Sequence, residues 1–297
     1  MLKKVLYVSP VWTNLKNYDL KNKIESGMPA FSEPLKLLLS REIKLDILWI
    51  RDATSPVLVD QFFNSQKEVF INTKSKLGLL FSILIVFFKT RKQIKKLQPD
   101  IIFCHGALSV GAIVAAKISN KKVVVRIYGT NKYKDELNRL GKFFFMIRYP
   151  LVFLSFYIST DALIATDDGS SSNEIFNSIG RAKEFHFLRN GYPEQSSTSI
   201  KRKSVLLCVG RIEHKKNQIK AINFFEEAAK SNKELKLKFI GEVSSVEYFE
   251  ELKSAINSSP FRKKIEILGG IDKKKLFDLY KESDAILGFQ NNSNFGN

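Results

Sequence analysis

Short apolar runs separated by longer polar or helix-like stretches recur along the whole chain. The first run, residues 4–8, ends at Ser9 and Pro10 and is typical of a buried strand. Runs of the same kind predict further strands at residues 45–50, 101–105, 123–127 and 161–165. Helical patterns begin at residues 35–39 and cover residues 110–118. Strands that alternate with helices at this spacing indicate a parallel sheet covered on both faces.

The same alternation restarts after residues 191–203, a polar segment with the composition of an interdomain linker. The pattern beyond it predicts strands at residues 205–209, 235–240, 264–268 and 285–289, and helices at residues 219–229, 246–256 and 276–280. We therefore predict an α/β protein with two Rossmann-like, doubly wound domains. Residues 1–190 form the first domain, and residues 204–297 form a second domain that is incomplete.

Two segments, residues 77–88 and 143–158, are apolar almost all round and are flanked by basic residues. The first has twelve residues, fewer than the roughly 20 that a helix needs to span a bilayer. Arg148 and Pro150 interrupt the second. Each segment fits either a core helix or a helix that lies in the membrane interface with its basic flanks at the headgroups.

Charge narrows the range of partners. The chain has 48 Lys and Arg against 30 Asp and Glu, a formal net charge of +18, which favours anionic partners. No DNA- or RNA-binding motif accompanies the lysines, so we expect no nucleic acid partner and keep an anionic membrane surface or a phosphorylated substrate. Cys104 and Cys208 each lie in an apolar run, which predicts small buried side chains in a reducing cytoplasm and no metal site.

The strongest chemical signal follows the strand at residues 205–209. Gly210 ends that strand, Arg211 and Lys216 follow, and a helical pattern then begins. A strand, a glycine turn and a helix N-terminus with cations beside it is typical of a phosphate site. Arg211 offers a planar fork and Lys216 a point charge. The alternative interpretation is a solvated basic turn after a core strand.

Two further residues fit either a functional or a structural role. His105 stands at the carboxyl end of a strand, where a residue of a doubly wound sheet faces the ligand crevice, although single histidines are more often structural. Gly27 lies in a long polar loop after the first strand, where it admits either an acceptor close to the backbone or a plain turn.

The segment Gly210-Arg211-x-x-x-x-Lys216-Asn217 resembles the G-R-x-x-x-x-K-[GN] signature of glycosyltransferase family 4. These are retaining enzymes of the GT-B fold. Other stretches resemble the family's pattern in order, namely Asn190-Gly191, Ile267-Leu268-Gly269, residues 284–287 and Phe295-Gly296-Asn297. The resemblance covers the last third of the chain well and the first two thirds loosely.

The resemblance implies roles for particular residues. Gly210, Arg211 and Lys216 would hold the diphosphate of a nucleotide-sugar donor. Further positions would lie beside the donor base and sugar, namely Leu268, Gly269, Phe295 and Gly296. Tyr128 stands where the family commonly has a histidine, in Ile127-Tyr128-Gly129-Thr130, and with His105 it is the catalytic candidate on the acceptor side. Gly27 would belong to the acceptor loop. No cofactor and no metal is implied.

Two hypotheses follow. The first is a cytoplasmic hexosyltransferase, peripheral on the inner face of the membrane, that moves a sugar from a nucleotide donor to a polysaccharide, lipopolysaccharide or lipid-linked acceptor with retention. The second is a non-catalytic nucleotide- or membrane-binding remnant of the same fold. Ser293 stands where the family has its first loop glutamate, and the second would lie beyond Asn297. We therefore expect residues 1–297 to be a C-terminally truncated glycosyltransferase and inactive by themselves.

Overall fold

The computed structural model describes residues 3–11, 35, 37–38, 41, 43–52, 66–72, 75–130, 133–166, 171–188 and 202–290. The chain divides into two compact units, Met1–Tyr192 and Pro193–Gly296. Each unit is built around a parallel sheet, as the alternation of apolar runs and helical patterns predicts.

The sheet of the first unit has seven parallel strands, in the order β3-β2-β1-β4-β5-β6-β7. Their bounds are β1 Lys4–Pro10, β2 Lys44–Arg51, β3 Gln66–Phe70, β4 Ile101–His105, β5 Lys122–Ile127, β6 Ala162–Thr166 and β7 Glu184–Leu188. The strand order reverses direction between β1 and β4. In sheets of this kind, ligands bind at the carboxyl ends of the strands beside that switch point.

Five helices with described bounds belong to the first unit: α1 Lys76–Leu97, α2 Val110–Ile118, α3 Tyr133–Arg148, α4 Pro150–Tyr157 and α5 Ser172–Ile179. Their buried side chains share one core cluster with alternate residues of the strands, so these helices cover the same face of the sheet. The strand residues that point the other way, among them Tyr7 and Trp49, pack with Leu35 on the opposite face. The second face of this sheet is therefore covered around β1 and β2.

The second unit has a four-stranded parallel sheet in the order β10-β9-β8-β11. The strands are β8 Val205–Val209, β9 Lys236–Ile240, β10 Ile265–Gly269 and β11 Ala285–Ile286. The helices are α6 Gln218–Ser231, α7 Val246–Ser258 and α8 Lys273–Glu282. One core cluster packs under α6 and α7, and a smaller one packs under α8. Both sheets thus confirm the doubly wound fold class.

Four elements differ from the prediction. β3 and β7 have no continuous apolar run, since they are edge strands whose polar residues remain partly exposed, and the sequence analysis missed both. The predicted last strand, residues 285–289, is shorter and covers only Ala285–Ile286. The apolar run 77–88 continues as one 22-residue helix, α1.

Length and hydropathy also bear on membrane contact. Of the helices in the described part of the chain, none alone is long and apolar enough to cross a bilayer. α3 and α4 meet that requirement only when taken together, and the chain bends by 98° between them.

Candidate functional site

The turn after β8 is built around Gly210. β8 is a run of five apolar residues, and its hydrogen bonds to β9 end when the Gly210 N–H donates to the Ile240 carbonyl at 2.8 Å. Gly210 has a φ of +149°, a region that glycine adopts at little cost. A Cβ added there would lie 3.6 Å from Lys216 Cδ. The aliphatic stem of Lys216 therefore lies over the glycine.

Glycines end three adjacent strands of this sheet. Gly210, Gly241 and Gly269 follow or end β8, β9 and β10, and the Gly241 N–H donates to the Gly269 carbonyl at 2.9 Å. A Cβ on Gly241 would stand only 2.0 Å from the Gly210 carbonyl oxygen, so no larger residue fits there without backbone movement. The carboxyl edge of the second sheet is thus a floor of backbone, which lets an anion approach closely.

Two cations stand beside this floor. Lys216 Nζ donates to Gln290 Oε1 at 2.8 Å, which ties the lysine to the segment after β11. The Arg211 guanidinium is 65% exposed and lies 3.2 Å from a Glu213 carboxylate oxygen. Exposed ion pairs of this kind contribute about 0–1 kcal/mol, so Arg211 can exchange Glu213 for another anion at small cost.

The start of α6 is fixed by side chains from other elements. Asn217, with a φ of 51°, turns the chain into the helix, and the buried Gln218 donates from Nε2 to the Arg211 carbonyl at 2.8 Å. The Ile219 N–H donates to Tyr248 Oη at 3.1 Å. Because that first-turn amide is already engaged, the positive charge of the site comes chiefly from Arg211 and Lys216 and less from the helix terminus than the sequence predicted.

The residues that the resemblance places beside the donor base and sugar have different surroundings in the structure. Leu268 packs into the small core cluster beneath α8, so its side chain contributes to stability. Gly269 has a φ of +68° and open space where a Cβ would stand, and it lies at the sheet edge beside Gly241. Phe295, Gly296 and, in the first unit, Gly27 lie outside the described residues.

In the first unit, His105 ends β4 at the switch point beside β1. Its Nδ1 lies 2.6 Å from Tyr7 Oη on β1. The Tyr7 and Tyr128 rings meet the imidazole edge-on, with centroid distances of 6.0 and 5.1 Å. His105 and Tyr7 are fully buried. The structure thus brings His105 and Tyr128 together and places the imidazole inside the protein, which agrees with the structural alternative for His105.

Burial sets the protonation of this cluster. It lowers the pKa of His105 to about 3, and the nearby Arg126 guanidinium acts in the same direction. It also raises the pKa values of the Tyr7 and Tyr128 hydroxyls well above their usual range. All three groups are therefore neutral at physiological pH, so the imidazole is suited to accept or donate a hydrogen bond in a fixed network.

The two cysteines are not nucleophiles. Burial raises the pKa of the Cys208 thiol to about 12, an effect that the Lys216 charge partly offsets. Burial raises the pKa of the Cys104 thiol further. Both thiols therefore stay protonated, and the thiolate is the reactive form. Within the described ranges, no three His, Cys, Asp or Glu side chains come together in a way that could hold a metal ion.

Some residues of the site could not be found from local sequence. Gln290 reaches Lys216 across 74 positions of chain, and Tyr7 reaches His105 across 98. Gly241 resembles any other turn glycine after a strand, and only its approach to Gly210 shows why no other residue fits. A glycine at the end of each of three successive strands was the one available signal.

Two family models match the chain. A model described as Glycosyl transferase 4-like matches residues 32–167, and one described as Glycosyl transferases group 1 matches residues 194–295. The second match contains the glycine turn and both cations. No curated protein sequence matches the chain.

Several solved structures share the fold at low identity. The apo form of the lipopolysaccharide outer core galactosyltransferase WaaB has a TM-score of 0.66 at 15% identity, over 97% of this chain and 74% of that one. Sucrose-phosphate synthase from Thermosynechococcus elongatus has a TM-score of 0.62 at 11% identity, over 99% and 77%. Anabaena HepE in complex with UDP and glucose has a TM-score of 0.59 at 14% identity, over 97% and 74%. Each is a likeness of fold.

Proposed function

Because the chain belongs to the glycosyltransferases that join a 4-like domain to a group 1 domain, we propose that it is a hexosyltransferase. It would move a sugar from a nucleoside diphosphate to a polysaccharide, lipopolysaccharide or lipid-linked acceptor, with retention at the anomeric carbon. The observation that carries this proposal is the lysine held over a glycine floor at the carboxyl edge of the second sheet.

The cations would act on the leaving group. As the bond to the sugar breaks, negative charge grows on the diphosphate, and donors placed in advance stabilise that charge without having to reorganise. Arg211 matches two phosphate oxygens with a planar fork, and Lys216 adds a point charge. Lys216 is already oriented by Gln290, whereas Arg211 must first leave Glu213.

The glycine floor would set how closely the diphosphate approaches. Gly210 and Gly241 leave only backbone beneath Lys216, so phosphate oxygens can lie within reach of the amine without meeting a Cβ. Gly269 extends the same floor toward β10, on the side where we assign the donor base and sugar. The other residues that we assign there are Leu268, Phe295 and Gly296, and Leu268 contributes through the packing beneath the floor.

The first unit would supply the acceptor side. His105 and Tyr128 keep neutral rings at the switch point of the sheet, which suits a role in positioning the segments that follow β4 and β5. Gly27 would let the acceptor approach the loop after β1. We assign no metal or cofactor to the reaction, so the cations carry the charge stabilisation.

Donor turnover tests this proposal. The purified product of the reading frame at the genomic locus would be incubated with UDP-, ADP-, GDP- and dTDP-hexoses. Products would be followed by anomer-resolved NMR. We expect it to release sugar with the donor's anomeric configuration. An inverted product would contradict retention, and no binding of any nucleotide sugar would contradict the transferase.

A second candidate is a non-catalytic nucleotide-binding protein of the same fold. It is favoured by Tyr128, which stands where the family commonly has a histidine, and by the neutral, buried state of His105. The same assay separates the two candidates. Donor binding without turnover would favour this second function.

A further inference from the structure

Helix α1 carries large apolar side chains on its outer face as well as on its packed face, where Val86 and Ile94 are buried. Three polar side chains, Ser82, Thr90 and Gln93, are buried against the protein. The Ser82 hydroxyl donates to the Gly78 carbonyl at 2.7 Å, which satisfies it inside the fold. On the outer side, five large apolar side chains are between 40% and 64% exposed: Leu80, Phe81, Leu84, Ile85 and Phe88.

Close packing against α2 fixes the orientation of α1, so its outer face stays exposed. Gly111 of α2 approaches the helix so closely that an added Cβ would stand 2.2 Å from the Ile83 carbonyl oxygen. Backbone therefore packs on backbone, and α1 cannot roll its apolar residues inward. Single exposed apolar side chains are ordinary, but a contiguous stripe of them marks an interaction surface.

The C-terminal half of the same outer face carries cations. After Phe88, the exposed positions of α1 carry four lysines: Lys89, Lys92, Lys95 and Lys96. The exposed stripe from residue 80 to residue 96 is about 24 Å long, since each helical residue adds about 1.5 Å. The 22 residues of α1 include no Asp or Glu. An apolar stripe that runs into an uninterrupted row of lysines matches an anionic phospholipid surface, which offers acyl chains and phosphates together.

A second helix of the same layer repeats this chemistry. In α3, Phe143, Phe144 and Ile147 are 56–63% exposed, with Lys142 and Arg148 beside them. A cavity of about 420 Å³ opens next to them, with apolar walls that include Phe153 and a rim that includes Arg181. Because α1 and α3 pack into one core cluster, both present these residues on the helix-covered side of the first unit.

We propose that the first unit docks on anionic phospholipid bilayers through the outer face of α1, with the exposed part of α3 as a second contact. The apolar half of α1 enters the headgroup boundary, and its four lysines lie on lipid phosphates. The contact proposed here is peripheral, because α1 lies along the headgroup region and does not cross the bilayer. This inference stands apart from sugar transfer, since its tests measure binding to lipid alone.

The first test removes the apolar half. Flotation of the full chain with vesicles of phosphatidylglycerol and phosphatidylcholine, 1:1, would compare wild type with F81S/L84S/F88S. A matched control, L188S/F224S/V246S, removes three exposed apolar side chains elsewhere. We expect the α1 variant to partition at least about 100-fold more weakly, because three large apolar side chains no longer enter the headgroup boundary, and the control to stay within about threefold. Equal partitioning of the two variants would overturn the proposal.

The second test separates the lysine row from the overall charge. K89Q/K92Q/K95Q/K96Q and K233Q/K236Q/K263Q/K274Q change the net charge by the same amount, and all eight lysines are exposed. Because each cation near an anionic surface strengthens binding, we expect the α1 variant to bind at least about 50-fold more weakly, and the control far less so. An equal loss in both, or binding that ignores the phosphatidylglycerol content, would contradict docking by this face.

A reporter gives the depth of insertion. L84W and the control F224W carry an indole on the proposed surface and on the second unit. We expect vesicles to shift the L84W emission to the blue, and brominated lipids to quench it, with no change in F224W. Sedimentation without lipid checks for self-association. If L84W shifts on self-association and not on lipid, the face is an interface between copies of the chain, and the membrane proposal fails.

Discussion

The carboxyl edges of the two sheets occupy equivalent places in the two units and have opposite character. In the first unit, the Tyr7 ring within β1 and the Tyr128 ring after β5 meet the imidazole of His105 at the end of β4, and Tyr7 and His105 are fully buried. In the second unit, the corresponding edge ends in Gly210 and Gly241, with the exposed Arg211 and the partly buried Lys216 beside them. One edge is closed, aromatic and neutral, and the other is open and positive.

The difference shows that the end of a parallel strand is not by itself an anion site. The side chains that gather at the edge decide. The large rings bury one another, and burial keeps the imidazole neutral because it lowers the pKa of His105. Glycine leaves space, so the stem of Lys216 can lie over the backbone.

Filling the glycine floor is the change with the largest expected effect. G241A places a Cβ against the Gly210 carbonyl at a φ of +154°, so both contact and backbone geometry oppose it. We expect the second unit to lose roughly 3 kcal/mol or more of unfolding free energy, in the range of severe single substitutions. Chemical denaturation, with hydrogen exchange of β8 and β9, measures this loss.

G288A is the matched control, because an added Cβ at Gly288 meets open space. We expect it to change the unfolding free energy of the second unit by less than about 1 kcal/mol. Equal unfolding free energies of G241A and G288A would mean that position 241 tolerates a side chain. The glycines would then not distinguish the edge of the second sheet from that of the first.

The second prediction concerns pH and the closed edge. Because burial lowers the pKa of His105 to about 3 from its ordinary 6.5, the unfolded chain takes up a proton that the folded chain does not between those values. The contribution of the neutral, buried His105 to the unfolding free energy is fully present above pH 6.5. As the pH falls below that value, the unfolding free energy decreases by about 1.4 kcal/mol per pH unit. Urea denaturation between pH 7.5 and 4.5 measures this slope.

We expect H105N to remove this contribution to the slope. H186Q, at an exposed histidine of β7, should leave the His105 contribution in place. A wild-type slope that H105N does not change would show that the acid sensitivity has another source and that the imidazole is not kept neutral by burial.

Loss of one hydroxyl in the closed edge should have a smaller effect. Y7F removes the oxygen that lies 2.6 Å from His105 Nδ1 while keeping the ring stacked on Phe103. A buried group that loses its partner costs about 1–3 kcal/mol. Thermal unfolding of the first unit would record this cost beside Y157F, whose ring is partly exposed, for which we expect less than about 0.5 kcal/mol. Equal unfolding temperatures for the two variants would contradict a closed network.

The smallest expected effect is at Gln290. Q290A removes the amide that orients Lys216 without removing its charge. We expect the affinity for UDP to fall by about twofold to fivefold, which corresponds to part of a net hydrogen bond of about 1 kcal/mol. Calorimetric titration measures the change. A loss as large as that of removing Lys216 itself would mean that Gln290 contacts the ligand directly.

Much of the fold follows from local pattern, whereas the character of each edge does not. Continuous apolar runs predicted the central strands correctly, because those strands are buried on both faces. The edge strands β3 and β7 were missed, since QKEVF and EFHFL keep polar residues partly exposed. The cation turn was visible in sequence because its parts lie within seven positions. The surroundings of His105 depend on its contact with Tyr7, 98 positions away in the chain. No local sequence pattern predicts that contact.

Calorimetric binding of UDP and of other nucleoside diphosphates to wild type, K216A and K215A tests the central claim most directly. The two lysines are neighbours in the same turn, but only Lys216 lies over Gly210 and reaches Gln290. With about 1.5–3 kcal/mol for a charge-assisted contact, we predict that K216A weakens binding by about 10-fold or more and that K215A stays within about threefold. Equal affinities in the two variants, or no diphosphate binding by wild type, would contradict the assignment of this turn as the donor site.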